Sequence, residues 1–462
     1  MLKQIVFSIT LLITLGIFTC SAVRYIRFFR FTRKGFPVRN LGRRLVVMMK
    51  VAVGQTKIFR FPFVGLLHAL VFWGFCVILI GSLEMVIDGV SGSEKSLAFL
   101  GFFYKIITGS GDVFGFLIAI AILIFLSRRL FMHLKRFSGI EMKQISHIDA
   151  NIALSLILLL MITLLGMNTF YVLSVKLYSP YAGEVPAGIT HCPADAIPGF
   201  YPVSDFFAGI LISSMYPREA LILHEAFWWS HILLIFLFAN ILPYSKHFHV
   251  FMSVPNVFLS RLEPLGKLTT MENITREVRI MLDPGASGTE IQSDLPVQRF
   301  GVRDAEDVSW KNYMDSLACT ECGRCTSVCP ANITGKRLSP RKIMMDLRAR
   351  MKEKGPMMIK KGREFSDSRS LIRDYISEEE LWACTTCNAC SMECPININH
   401  PTLIVDMRRY LVMEEASAPG KLKSMFSYIE NNGAPWQFSS EDRLLWASDL
   451  EINKNRNAGT VI

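Results

Sequence analysis

The sequence predicts an all-α protein in which a bundle of five transmembrane helices is followed by a helical domain rich in cysteine. The chain has 462 residues, 51% of them hydrophobic. Its apolar residues are concentrated in long uncharged runs before residue 250. Eight of its eleven cysteines lie in two copies of one spacing near the C-terminus. These two features predict a membrane part and a metal-binding part, in that order.

The five apolar runs are long enough to form membrane helices. A helix rises 1.5 Å per residue, so about 20 apolar residues cross a hydrocarbon core of about 30 Å. The third run is shorter, but it can extend back past Asp112. Buried helices of soluble proteins rarely have apolar runs of this length. The predicted spans are 5–23, 61–83, 113–127, 150–175 and 226–245.

Basic residues are distributed unevenly among the loops. Between Arg24 and Arg60 there are eleven Lys or Arg residues and no acidic residue, and the loop after the third helix is also basic. The remaining loops are balanced or slightly acidic, and we assign Glu84 to one of them. Since basic loops stay inside, the N-terminus is expected outside and the cysteine-rich domain in the cytoplasm. The net charge of +11 is therefore ascribed to topology in a lipid bilayer, not to nucleic acid.

Both cysteine runs read C-x2-C-x2-C-x3-C-P, the ferredoxin spacing for a [4Fe–4S] cluster, in which the fourth cysteine binds the other cluster. Structural zinc sites and disulfides are the alternatives, but zinc favours paired knuckles and disulfides need an oxidising compartment. The runs therefore predict two [4Fe–4S] clusters. The first cluster is assigned Cys319, Cys322, Cys325 and Cys394; the second is assigned Cys384, Cys387, Cys390 and Cys329.

These features divide the chain into four parts. Residues 1–250 form the membrane domain, 251–312 a linker, 313–412 the two-cluster domain and 413–462 a C-terminal tail. Between the cysteine runs, residues 338–381 are predicted to be mostly helical. A short apolar stretch at 206–217 is expected at the outer membrane surface. Cys192 is expected in an outer loop as a lone thiol.

Histidines in the membrane part are candidate haem ligands. If the fifth helix is continuous, His231 and His249 lie five turns apart on one face, about 27 Å from each other along the axis. They can therefore serve two sites, one near each surface. His68 enters the membrane with the second helix at the depth of His249. Because ionisable residues within membranes are often functional, this pair is a candidate for b-type haem.

His224 and Glu225 form a second candidate site at the start of the last helix. An acid beside a histidine at the outer surface suits proton exchange with a quinol. His224 is also a candidate haem ligand. A solvated pair with no chemical role is an equal alternative.

Residues 231–255 resemble the last helix of the nitrate reductase gamma subunit, a family with five helices and two bis-His haems. The resemblance implies that His68 and His249 bind the inner haem and that His231 is a ligand of the outer haem. The second outer ligand falls ten residues after His68, where this chain has Ile78. The resemblance therefore implies one haem b and leaves a second open.

The cysteine runs resemble the C-type iron–sulfur subunit of heterodisulfide reductase, through CTECGRCTSVCPANITGKRLSP and CTTCNACSMECPININH. The whole layout resembles the fused cytochrome and iron–sulfur proteins of the heterodisulfide reductase and electron-transfer flavoprotein:quinone oxidoreductase group. The soluble catalytic part of that group carries a Cys-Cys-Gly repeat. No Cys-Cys pair occurs in this sequence, so that chemistry is expected on another polypeptide.

The sequence thus predicts a membrane-bound respiratory electron-transfer subunit of a bacterial or archaeal cytoplasmic membrane, without catalytic residues of its own. It would connect a Cys-Cys-Gly iron–sulfur protein, fed by an electron-transfer flavoprotein, with menaquinone or ubiquinone. Two alternatives are the electron-input subunit of a sulfite- or disulfide-reducing complex, and a haem-free membrane ferredoxin that acts in metal-centre assembly.

Overall fold

The computed structural model describes residues 1–132, 134–139, 141–178, 197–282, 299–439 and 441–450. Helices make up 71% of it, and none of the described residues lies in a β-strand, so the all-α prediction is confirmed. Cys192 lies outside the described residues. The α-helices are α1 Leu2–Phe29, α2 Leu41–Met48, α3 Pro62–Ser91, α4 Phe102–Phe131, α5 Gln144–Tyr178, α6 Pro202–Leu211, α7 Pro217–Ile241, α8 His249–Phe258, α9 Glu272–Leu282, α10 Trp310–Ala318, α11 Arg324–Ser327, α12 Pro330–Ile333, α13 Pro340–Lys361, α14 Leu371–Asp374, α15 Glu378–Trp382, α16 Ala389–Glu393, α17 His400–Met413 and α18 Gly420–Asn432.

Five of these helices are long and apolar enough to cross a membrane, as predicted: α1, α3, α4, α5 and α7, the last with the turn that follows it to Tyr244. Each is longer than its uncharged run because helix continues through polar residues at the ends. One assignment was wrong for this reason. Glu84 lies within α3, not in a loop, and its carboxylate accepts hydrogen bonds from the Leu97 amide (3.0 Å) and the Tyr104 hydroxyl (3.1 Å).

The five apolar helices form a closed ring of neighbours. α1 packs against α3 and α7, α3 against α4, α4 against α5, and α5 against α7. Phe7, Met85, Met167, Trp228 and Ile232 bring four of the helices together in one buried cluster. Many large apolar side chains on the outer surface of the ring are exposed. This distribution is typical of helices surrounded by hydrocarbon.

The last membrane helix is not continuous. α7 ends at Ile241, and two single-turn 3₁₀ segments separate it from α8, which begins at His249. Pro243 lacks a backbone N–H, and Ser245 is extended (φ −90°, ψ 158°), with its hydroxyl accepting a bond from the His247 amide (3.0 Å). The expectation that His231 and His249 share one face of a single helix is therefore wrong.

The cysteine-rich helices pack on the end of the bundle where α3 and α5 begin. α10 contacts α8 and α13, and α13 contacts α1. In α13, a Cβ at Gly355 would overlap the ring of Phe28 from α1, which is almost fully buried. The segment between the cysteine runs contains α13, α14 and α15, in agreement with the prediction that it is mostly helical.

The chain divides into two compact units. The first comprises residues 1–270 and 303–404 and contains the apolar bundle and both cysteine runs. The second comprises residues 271–302 and 405–462. Within it, the Phe300 amide donates to the Glu414 carboxylate (2.6 Å). The four predicted domain boundaries stay predictions.

Candidate metal centres

The two cysteine runs have the same backbone shape. The residue two positions after the first cysteine has positive φ in both runs: Glu321 (59°) and Thr386 (54°). So does the residue four positions after it: Gly323 (75°) and Asn388 (61°). Non-glycine residues seldom adopt this conformation, so the repeated pattern marks a specific loop. It turns the chain twice within five residues and lets the thiols converge.

The cysteines fall into two groups, and each group contains the last cysteine of the other run. Cys325 interacts electrostatically with Cys322, Cys319 and Cys394. Cys390 interacts with Cys384 and Cys329. A small cavity is lined by Cys329, Cys384, Cys387 and Cys390. This arrangement matches the predicted exchange of the fourth cysteine, although the ligand assignment itself stays a prediction. We call these the first thiol group (Cys319, Cys322, Cys325, Cys394) and the second thiol group (Cys329, Cys384, Cys387, Cys390).

Burial, reinforced by neighbouring thiols, makes the thiols hard to ionise without a bound cation. It raises the pKa of Cys319 to about 11 and the pKa values of Cys390 and Cys394 to about 12. The pKa of Cys325 is raised well above its ordinary value for the same reasons. Four closely packed thiolates therefore require compensating positive charge. A thiolate-ligated iron–sulfur cube, with its soft sulfur donors, fits this donor set.

Other polar groups around the thiols also fit such a cluster. Backbone amides of Ile396 and Ile398 interact with the Cys394 thiolate. The Ser391 hydroxyl, beside Cys390, is buried without an oxygen or nitrogen partner. Donors of this kind are expected around cluster sulfurs. Among the described residues, no group of three or more Cys, His, Asp or Glu side chains is placed to hold a single metal ion. A cube does not require that convergence, because its iron atoms occupy separate corners.

Residues at the start of α3 enclose the first thiol group. Lys57 Nζ donates to the Cys394 carbonyl (3.1 Å), and Arg324, beside Cys325, donates to the Lys57 carbonyl (3.0 Å). Arg324 also bonds the Glu393 carboxylate (2.8 Å) and lies over the ring of Phe61, the residue before α3 (4.6 Å). This contact therefore joins both cysteine runs to the helix that carries His68.

A second contact joins the first thiol group to α5 and to the residues before α8. The buried Glu321 carboxylate bonds Arg348 and Ser146 and lies 3.5 Å from Lys246 Nζ. Arg348 also donates to the Cys319 carbonyl (2.8 Å). These partners hold the first cysteine loop against the bundle.

A third contact uses the loop before α5. Arg341 donates to the buried Glu141 carboxylate (2.6 Å) and to the Arg136 carbonyl (2.5 Å). A Cβ at Gly323 would lie 2.7 Å from Arg341 Nη1 and 2.8 Å from the Arg136 oxygen, so this close approach requires glycine. Sequence reasoning missed these basic residues as parts of the site because their loops indicated only topology.

The structure brings His68 and His249 together. They interact electrostatically, and His68 also interacts with Arg324. The His68 Nδ1 atom is buried without a hydrogen-bond partner in the described part of the chain. His249 Nδ1 lies 3.2 Å from the Lys246 carbonyl. A metal-binding imidazole usually donates its other N–H to such an acceptor, so the pair fits axial ligation of a haem.

His224 and His231 lie on a different cavity, which we call the bundle cavity. Its volume is about 310 Å³, and its lining includes His224, His231, Glu225, Glu84 and Ile78. His231 Nδ1 lies 2.9 Å from the Thr163 hydroxyl, and His224 Nδ1 lies 3.0 Å from the Met167 carbonyl. Both imidazoles therefore have Nδ1 engaged and Nε2 available as a ligand or proton acceptor. Glu225 pairs with Lys3 (2.8 Å).

The bundle cavity also contains polar residues that sequence reasoning missed. Glu84, Asp88, Lys95 and Tyr201 line it with the two histidines. Lys95 Nζ donates to the Tyr201 hydroxyl (3.0 Å). An acidic residue inside a membrane helix is a signal of function, and Glu84 would have given that signal had the helix been extended past residue 83.

Comparison with known proteins identifies the cysteine-rich part. Residues 318–398 match the 4Fe-4S dicluster domain family. The chain is 28% identical over 432 residues to the probable iron-sulfur-binding oxidoreductase FadF of Bacillus subtilis, covering 86% of this chain and 54% of that protein. It is 26% identical over 445 residues to the EtfAB:quinone oxidoreductase of Syntrophomonas wolfei, covering 92% and 57%.

A shorter match, 32% identical over 107 residues, is to the C-type subunit of the ferredoxin/F(420)H(2)-dependent CoB-CoM heterodisulfide reductase of Methanosarcina acetivorans; it covers 23% of this chain and 52% of that protein. No solved structure matches the chain significantly. The chain spans about half the length of the two longer relatives. Its relatives are iron–sulfur oxidoreductases and heterodisulfide reductase subunits, and it carries a 4Fe-4S dicluster domain beside five helices able to span a membrane.

Proposed function

We propose that the protein is a membrane-bound electron-transfer subunit that passes electrons between a soluble partner and a quinone. Two [4Fe–4S] clusters and a b-type haem would supply the one-electron chemistry when bound, and the protein would set their spacing and their surroundings. The proposed direction is from the soluble partner toward the quinone.

The observation that carries this proposal is the contact between the first thiol group and the start of α3. Arg324 follows the backbone of Lys57 and the ring of Phe61, and α3 then carries His68 into the bundle. Cysteines suited to a cluster and histidines suited to a haem therefore lie on either side of one contact. Such an arrangement suits electron transfer into or out of the membrane.

We assign the haem to His68 and His249. The buried, unpartnered Nδ1 of His68 and the Lys246 carbonyl beside His249 Nδ1 support this assignment. His231 and His224 are candidate ligands of a second haem. Their shared cavity supports a site there, but Ile78 in its lining cannot act as a metal ligand.

We assign proton exchange with menaquinone or ubiquinone to the bundle cavity. His224 can accept or donate a proton at Nε2, and Glu225, paired with Lys3, lies beside it on the cavity lining. Apolar residues of the same lining, such as Met85 and Leu164, suit a hydrophobic ring.

The soluble partner is proposed to be a Cys-Cys-Gly iron–sulfur protein that receives electrons from an electron-transfer flavoprotein. The name of the Syntrophomonas wolfei relative, which contains both EtfAB and quinone, supports this choice. The bundle is proposed to lie in a bacterial or archaeal cytoplasmic membrane, with the cysteine-rich part in the cytoplasm.

The haem is the test of this function. Purified protein reduced with dithionite should show b-type haem absorbance, and His68→Ala should remove most of it. His147→Ala is a matched control, because His147 hydrogen-bonds Arg129 (3.3 Å) at the start of α5, away from the proposed ligands. No haem absorbance in the intact protein, or equal absorbance in His68→Ala, would contradict the proposal and favour a haem-free ferredoxin.

A further inference from the structure

We propose a fixed order for the two iron–sulfur sites: the second thiol group exchanges electrons with the soluble partner, and the first exchanges them with the membrane. This inference deepens the proposed function and rests on it. Each step is the movement of one electron, and no bond is made or broken.

Exposure separates the two groups. In the second thiol group, Cys387 is exposed and Cys384 is partly exposed. The neighbouring residues Thr385 and Thr386 are exposed as well. In the first thiol group, Cys319, Cys325 and Cys394 are buried and only Cys322 is partly exposed. A soluble protein can therefore approach the second group closely, but not the first.

Contacts with the membrane part separate the groups in the opposite sense. Lys57 bonds the backbone of Cys394, and Arg136 interacts electrostatically with Cys322. Lys246 and Ser146 hold Glu321, which lies between Cys319 and Cys322. All four residues come from segments that flank the apolar helices. They converge on the first group, which is therefore the one adjacent to the bundle.

The exposed surface around Cys387 is small and uncharged. Thr385 and Thr386 carry only hydroxyl groups, and the second cavity continues inward to Leu338, Pro401 and Ile404. Such a surface suits brief contact with a soluble redox protein whose own iron–sulfur or flavin centre lies near its surface. Weak, transient contacts of this type are usual for electron-transfer partners.

The order can be tested by electron paramagnetic resonance of the reduced, detergent-solubilised protein with a water-soluble dysprosium chelate. Cys387→Ser and Cys322→Ser assign the two cluster signals, because an oxygen ligand changes the signal of its own cluster. We expect the chelate to increase the relaxation rate of the Cys387-dependent signal several-fold more than that of the Cys322-dependent signal. Equal effects, or a larger effect on the Cys322-dependent signal, would overturn the order.

A second arm reports the membrane side. Oxidised haem is paramagnetic, so its removal by His68→Ala should slow relaxation of the Cys322-dependent signal and leave the other nearly unchanged. A change confined to the Cys387-dependent signal would overturn the order. If the protein contains no haem, the proposed function fails by its own test, and the chelate measurement still decides which thiol group is exposed.

Discussion

Cys329 and Cys394 each end one cysteine run, yet each lies with the first three cysteines of the other run. The proline that follows each of them has no backbone N–H and directs the chain away from its own loop. The exchange ties the two runs together, so neither cluster can form fully from one run alone. A substitution in one run should therefore be detected at the cluster of the other.

Cys394→Ser should disrupt the cluster of Cys319, Cys322 and Cys325, and not the cluster of the run in which it lies. About half of the cluster iron should be lost or altered, since each cube holds about four iron atoms. Iron analysis and the cluster-specific paramagnetic signals check this. Cys76→Ser, in the exposed surface of α3, is the control and should change neither signal. Loss of the Cys384-dependent signal instead would contradict the exchange.

Lys352 illustrates how burial changes a basic residue. Burial, with Arg348 nearby, lowers the pKa of Lys352 to about 8, and its Nζ donates to the Tyr244 carbonyl (3.2 Å). The unfolded chain keeps its proton up to its ordinary pKa of about 10.4. Between these two values the unfolded state binds more protons, so the Lys352 contribution to folding stability rises with pH.

We therefore expect Lys352→Met to stabilise the protein at pH 7, by about 1 kcal/mol after allowance for solvent screening. The gain should shrink as the pH rises from about 8 toward 10.4. Thermal unfolding in a non-ionic detergent at several pH values measures it. Lys360→Met, at an exposed position of the same helix, is the control. A gain that does not change with pH would rule out this cause.

At the scale of elements, α13 is the helix that connects the cysteine-rich part to α1. Phe28 of α1 fits against Gly355, and its ring also packs 6.2 Å from Tyr313 of α10. Glycine inside a helix costs about 1 kcal/mol relative to alanine. Its presence here is explained by the close approach of Phe28, which leaves no room for a Cβ.

Gly355→Ala should accordingly destabilise the protein by about 1–3 kcal/mol, although alanine favours helix. Gly16→Ala is the matched control, since a Cβ at Gly16 meets no atom within 4 Å. Thermal unfolding of both variants makes the comparison. Equal stability of Gly355→Ala and the unchanged protein would mean that the packing of Phe28 against α13 is loose.

The predictability of the elements follows from their physical causes. The five membrane helices could be predicted, because burial in hydrocarbon requires long apolar runs. Their ends could not, since residues such as Glu84 are held by partners distant in sequence. The break between α7 and α8 had a visible signal in Pro243, but the runs of apolar residues on either side concealed it.

At the scale of the whole molecule, the arrangement of charge predicts topology. The basic residues Arg136, Lys57 and Lys246 belong to loops that contact the cysteine-rich part. They therefore contribute to the site as well as to orientation. This dual role could not be recognised from the sequence, because the buried partners of these residues come from remote segments such as Glu321 and Glu141.

Topology can be tested by labelling single cysteines in intact cells with a membrane-impermeant maleimide. In a Cys192→Ser background, Ser93→Cys should be labelled and Ser138→Cys should not, because the first is expected outside and the second inside. Both serines are exposed, so each should react after the cells are broken. The reverse pattern would place the cysteine-rich part outside.

The cysteine ligands could be predicted because the spacing alone determines which backbone loop forms. The histidine pair could be proposed but not positioned, since the helix that was expected to carry His249 breaks before it. The bundle cavity was out of reach, as its lining comes from α1, α3, α4, α5 and α7 together. Residues that chemistry brings together from one segment are readable, and those that packing brings together are not.

The most direct test is the content of iron, acid-labile sulfide and zinc per chain in protein purified without exposure to air. Two cubes predict about eight sulfides and about eight iron atoms, with additional iron from any haem. A preparation with zinc in place of iron and almost no sulfide would contradict the account.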